Sequence, residues 1–119
     1  MKTDRELLKL AAKAASYKHL RYCEIHMAMV PEPEGEDVLP FSMWNPLTDD
    51  GDALRLAVKC SISLNTMLVD GMNRPRHETA ACSSYGLPIV HDKHSGDPYA
   101  ATRRAIVRAA AAIWEQMRD

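Results

Sequence analysis

Aromatic residues are scarce. One Phe, two Trp and four Tyr in 119 residues are too few for a base-stacking platform on single-stranded nucleic acid. Cysteine is scarcer and odd in number: Cys23, Cys60 and Cys82 stand alone, with no C-x-x-C pair. That argues against a disulfide framework and a cysteine-rich zinc site, and leaves three small apolar residues for the core. All five glycines are isolated, so no phosphate-cradling loop is present. Ser83-Ser84 lacks the G-x-S-x-G context, and none of the five histidines stands in a motif relation to a serine or cysteine. No apolar run approaches the roughly 18 residues of a membrane span. The charged start Met1-Lys2-Thr3-Asp4-Arg5-Glu6 does not read as a signal peptide, and the cytoplasm is the expected compartment. An excess of one charge sign is also missing. A net charge of −1 and a pI near 6.5 do not suit a dedicated nucleic-acid-coating protein.

What is there is an ordinary single-domain composition, 46% hydrophobic and 26% charged, with enough chain for one core. The small net charge conceals a division. Residues 1–30 carry six Lys/Arg against three acids, residues 31–52 seven acids and no base, and residues 53–119 nine Lys/Arg against six acids. The acidic middle repels phosphates and suits a basic partner.

Periodicity gives the elements. Thr3 and Glu6 form a T-x-x-E capping box, and Leu7, Leu8, Ala11, Ala14 and Ala15 then share a helical face, with Lys9 and Lys13 outside it. Residues 21–30 read as one strand carried by Tyr22, Ile25, Met27 and Met29, and 31–37 as an acidic Pro/Gly loop. A short strand over 38–43 precedes Trp44-Asn45-Pro46. A second helix follows, capped by Thr48 or Asp49, with Leu54, Ala57 and Val58 inward. From Ser61 the period drops to two, and Ile62, Leu64, Thr66 and Leu68 alternate with Ser61, Ser63, Asn65 and Met67 as a half-buried strand. Asp70-Gly71 marks a hairpin, and Pro75 suggests a long or bulged connection to a return strand over 77–85. Residues 86–96 read as irregular. The last helix has Asp97 as its cap, Pro98 in its first position and a stripe of Ile106, Ala110, Ile113 and Met117, widened by Val107 and Trp114. The order α-β-(β)-α-β-β-α predicts a single two-layer α+β domain over 1–119, a small mostly antiparallel sheet flanked by three helices.

The candidate chemistry is thin. His91-Asp92-Lys93-His94 is the one cluster with metal-ligand residue types, but a loop offers no scaffold for coordination, so His91 and His94 are weak zinc candidates and no cofactor is expected. Asp49-Asp50-Gly51-Asp52 lacks the twelve-residue spread and terminal Glu of a calcium loop; capping explains its acids. Arg103, Arg104 and Arg108 form a basic ridge whose counterpart is either nucleic-acid phosphate or the chain's own acidic stretch 31–52, the internal explanation being favoured.

Two blocks carry a resemblance. Trp44-Asn45-Pro46-Leu47-Thr48-Asp49-Asp50-Gly51-Asp52-Ala53 resembles a W-N-P-x-x-D-D-G-D-A signature, and Ala101-Thr102-Arg103-Arg104-Ala105-Ile106-Val107-Arg108-Ala109-Ala110 resembles an A-T-R-R-A-I-V-R-A-A block. Together, mainly over 44–113, they are similar to small proteins of tailed phages and prophages related to the NinX-type family of unknown function. That family has no established catalytic residues to carry over. The resemblance implies an accessory product acting in the cytoplasm of a bacterial host. The leading expectation is a non-catalytic module that binds a host or phage protein through Glu32, Glu34, Glu36, Asp37 and Trp44, the tryptophan reading either as an exposed interface anchor or as a buried structural residue. Nucleic-acid binding through Arg103, Arg104 and Arg108 is the second expectation, and a small metal- or ligand-binding enzyme using His91 and His94 the third. No membrane partner is expected; a homodimer through the alanine-rich last helix is a further possibility.

Overall fold

In the computed structural model, the described residues are 2–32, 43–71, 74–83, 89–94 and 96–117. The capping box closes as read. Thr3 Oγ1 accepts the Glu6 N–H at 3.2 Å and Glu6 Oε2 accepts the Thr3 N–H at 3.4 Å, opening helix α1 (Asp4–Ala14). The helix ends on two reverse bonds, from the Ser16 N–H to the Lys13 carbonyl and from the Tyr17 N–H to the Ala12 carbonyl. This closure needs a left-handed residue, and Ser16 takes that place with φ of 63°.

The expected strand over 21–30 is instead a hairpin of β1 (Leu20–Cys23) and β2 (Ala28–Pro31), paired antiparallel with Cys23 opposite Ala28. Its turn holds Ile25 and Met27 in solvent, and Met27 adopts a φ of 52°. Those two apolar residues imitate strand periodicity while sitting at a turn. The proposed strand over 38–43 lies outside the described residues except for Met43. Trp44 next to it forms an isolated bridge with Met29.

Helix α2 (Asp50–Lys59) is capped by Asp49, whose Oδ2 accepts the Asp52 N–H at 2.8 Å. Its buried residues are Asp52, Ala53, Leu56 and Ala57. Leu54 and Val58, expected inward, are exposed. The inward face is instead carried by Ala53, Leu56 and Ala57, which pack in the core, with Asp52 buried beside them.

Strands β3 (Ile62–Gly71), β4 (Arg74–Ser83) and β5 (Ile89–Lys93) make a second antiparallel sheet in the order β3-β4-β5. The β3–β4 register runs from Ile62 opposite Ser83 to Gly71 opposite Arg74, so the connection is two residues long and Pro75 pairs within the ladder. The longer or bulged connection is thereby corrected. The stretch expected to be irregular contains β5, which pairs Val90 with Ala81 and Asp92 with Thr79.

Helix α3 (Pro98–Met117) starts where expected, with Asp97 Oδ1 accepting the N–H groups of Tyr99 and Ala100. It is the spine of the molecule. Ile106, Val107, Ala110 and Ala111 pack with Leu7, Leu8 and Ala11 of α1, Leu56 of α2, and Trp44. Ala105 and Ala109 pack on Ala81 and Val90 of the sheet, and Ile62 touches both clusters. The small side chains let α1 and the sheet approach α3 from two sides. The alanine face is consumed inside the chain, so it is not the dimer surface suggested above. The result is an α+β domain, a small antiparallel sheet flanked by three helices. Among the described residues no helix is long and apolar enough to cross a membrane.

Candidate functional site

The W-N-P block is a structural joint. Trp44 is fully buried, edge-on to Tyr17 with ring centroids 5.5 Å apart at 76°. Its backbone N–H and carbonyl both pair with Met29. This corrects the reading of Trp44 as an exposed interface anchor: a ring that fills the junction of the helices cannot be presented to a partner. Asn45 ties three segments, donating its N–H to Asp52 Oδ2 at 3.0 Å and its side-chain amide to the Met27 carbonyl at 2.9 Å, while Oδ1 accepts the Leu47 N–H. Asp52 also accepts from Arg55 Nη2 at 2.7 Å, and this hydrogen bond is the main reason the guanidinium is held above its usual pKa. Gly51 leaves room for that guanidinium, since an added Cβ would stand 3.2 Å from both Arg55 Nη2 and Asp49 Oδ2.

The acidic stretch is thus partly spent within the fold. Asp49 caps a helix, Asp52 holds Asn45 and Arg55, and Asp50 pairs with Arg103 at 2.6 Å. Glu32 is exposed and donates its N–H to the His19 carbonyl. Glu34, Glu36 and Asp37 lie outside the described residues.

The basic ridge is paired in the same way. Arg103 reaches the Leu47 carbonyl as well as Asp50. Arg104 meets Asp4 at 3.0 Å, and Arg108 meets Asp92 at 2.9 Å and the His91 carbonyl at 3.1 Å. Among the described residues only Arg103 uses the acidic stretch; Arg104 draws on α1 and Arg108 on β5. A phosphate on this ridge displaces carboxylates already in place.

His91 and His94 do not converge. His91 lies on the face of β5 away from α3, its Nδ1 3.1 Å from Glu78 Oε1. His94 lies on the α3 side, Nε2 at 2.7 Å from Thr79 Oγ1. Three residues apart along extended chain put side chains on opposite faces. Thr79 in turn meets Thr102 Oγ1 at 2.9 Å, and Thr102 donates to the Pro98 carbonyl at 2.8 Å. Each hydroxyl has one proton, so the chain runs one way: His94 Nε2–H donates to Thr79, and Thr79 to Thr102. His91 is bound to a neighbouring strand and His94 into a sheet-to-helix contact, and the scaffold-free loop proposed for a metal site is replaced by a strand. Among the described residues no group of three or more His, Cys, Asp or Glu is placed to hold a metal ion.

A site that sequence reasoning missed lies between the end of α1, the β1–β2 hairpin and the end of α3. It is a cavity of about 470 Å³ whose lining includes Ala12, Tyr17, Leu20, Met29 and Trp114. Lys9, Lys13 and Lys18 stand around it, with Glu32 on the hairpin side. None of the three lysines has a carboxylate partner among the described residues. Tyr17 forms the back wall between Trp44 and Lys59, whose Nζ sits 4.6 Å from the phenol ring centre. Burial raises the Tyr17 pKa, with Arg55 opposing. The signal in the sequence is Lys9 and Lys13 outside the α1 stripe; only the return of α3 to this corner makes that side of the helix one side of a groove.

Comparison with protein-family models, curated proteins and solved structures finds no match.

Proposed function

We propose that this protein is a non-catalytic binding module that seats an acidic segment of a partner protein in the groove between α1, the β1–β2 hairpin and the end of α3. The observation that carries this reading is the combination in one place of an apolar floor and three lysines without carboxylate partners among the described residues. Apolar floor supplies affinity, and the lysine rim selects sign and speeds encounter. Lys13 also complements the carbonyl end of α1, which accounts for its place on the helix but not for Lys18 beyond it. The setting in this proposal is the one its two blocks resemble, a phage or prophage accessory product acting in a bacterial cytoplasm on a host or phage protein.

The test is capture from phage-infected bacterial lysate with the wild-type chain and with a Lys13→Glu, Lys18→Glu variant, followed by calorimetry on the purified pair. Both lysines are exposed, so the variant keeps its fold. The expected result is a partner whose affinity falls about tenfold or more in the variant and weakens with salt. An affinity unchanged by the charge reversal rejects the groove.

A further inference from the structure

The two edges of the three-stranded sheet are built differently. β5 is five residues long and carries Asp92 and Lys93, the length and charge by which natural edges resist pairing. In the other sheet, β1 and β2 are four residues each, with Arg21 on one and Pro31 ending the other. β3 has none of these guards. It spans ten residues, has no charged side chain and no proline from Ile62 to Val69, and among the described residues its outer edge pairs with no strand.

Beyond Ile62, its α3-side face is also left uncovered. The ladder places Leu64 opposite Ala81, Thr66 opposite Thr79 and Leu68 opposite His77. Ala81 and Thr79 are buried beneath α3, yet Leu64 is 41% exposed and Leu68 59%. Tyr99, in the first turn of α3, is 70% exposed and lines a shared hollow with Thr66, Leu68, His77 and His94. One helix about 10 Å wide covers two strands spaced at about 4.8 Å, not three.

We propose that the β3 edge pairs antiparallel with β3 of a second copy of this chain, making a six-stranded sheet with both α3 helices on one face. The occupant follows from the strand's own sequence. A two-fold axis through Thr66 sets Thr66 against Thr66 and Leu64 against the second copy's Leu68, twice over. Both pairings keep each leucine on the face it already occupies, as a two-fold sheet requires. Cross-strand pairs of this kind stabilise a sheet, and the uncharged run brings no like charges together. The four leucines then form one apolar floor between the two α3 helices, with a Tyr99 from each side. This surface is separate from the lysine groove and does not depend on it.

Sedimentation velocity of the full chain over a concentration series tests the proposal, alongside a Leu64→Lys, Leu68→Lys variant. Wild type is expected to pass from monomer to dimer mass, and the variant to stay monomeric with an unchanged circular dichroism spectrum. A Thr66→Cys chain, oxidised and peptide-mapped, is expected to give a disulfide from residue 66 to residue 66, distinguishable from links through Cys23, Cys60 or Cys82. That readout stands on its own if the Leu64→Lys, Leu68→Lys variant does not fold. A wild-type chain that stays monomeric at its highest soluble concentration overturns the proposal. So does a dimer that survives in the folded Leu64→Lys, Leu68→Lys variant, one without the 66–66 link, or unlimited growth beyond dimer.

Discussion

Trp44 shows how far a residue's identity carries and where it stops. A tryptophan between Met43 and Asn45-Pro46 suits an anchor or a core plug equally well by sequence. The deciding facts are three-dimensional: both backbone groups are taken by Met29 and the ring is enclosed by Tyr17 and the helices. Trp44→Ala is expected to cost about 3–5 kcal/mol in urea unfolding, the range for emptying an aromatic core site. Trp44→Phe should cost clearly less, because Trp44 Nε1 is buried without an acceptor among the described residues and its loss strands nothing. An equal loss in both variants contradicts that account. Cys60 offers a second check. Burial pushes its thiol pKa up, against the smaller opposite effect of Lys59, so near pH 8 a smaller fraction is thiolate. Iodoacetamide should therefore label Cys60 more slowly than a free cysteine peptide, with peptide mapping as the readout.

At the scale of elements, the helices were legible because their signals are local. The box at Thr3–Glu6 and the Asp97-Pro98 start need only neighbours along the chain. Strand β5 and the β1–β2 hairpin were not legible, for a physical reason. β5 is five residues defined by its pairing with β4, and the β1–β2 turn uses Met27 at a φ of 52° rather than a glycine. The helix ends follow the same habit, with Ser16 and Ser61 at φ of 63° and 54° where glycine is usual. A serine there carries backbone strain that glycine lacks, at roughly 1–2 kcal/mol per residue, while glycine costs about 0.5–1 kcal/mol more to order. Ser16→Gly is therefore expected to stabilise by about 0.5 kcal/mol, read as a higher denaturant midpoint with an unchanged slope. A lower midpoint removes the strain argument at this end.

For the whole molecule, the charge division seen in the sequence is real, but folding redistributes it. Asp50 meets Arg103, Asp4 meets Arg104 and Asp92 meets Arg108, so α3 gathers acids from three separate segments. What this pairing leaves is a different positive surface, Lys9, Lys13 and Lys18 around an apolar floor. That site was invisible in the sequence because its parts come from α1, the hairpin and a helix nearly 100 residues away. Amide chemical-shift mapping on the ¹⁵N-labelled chain, titrated with an acidic peptide carrying one leucine or phenylalanine anchor, tests the groove most directly. The account predicts saturable shifts at Lys9, Lys13, Ser16, Leu20 and the Trp114 indole N–H, reduced in the Lys13→Glu, Lys18→Glu variant. Shifts centred instead on Arg104 and Arg108, or none at the groove, would contradict it.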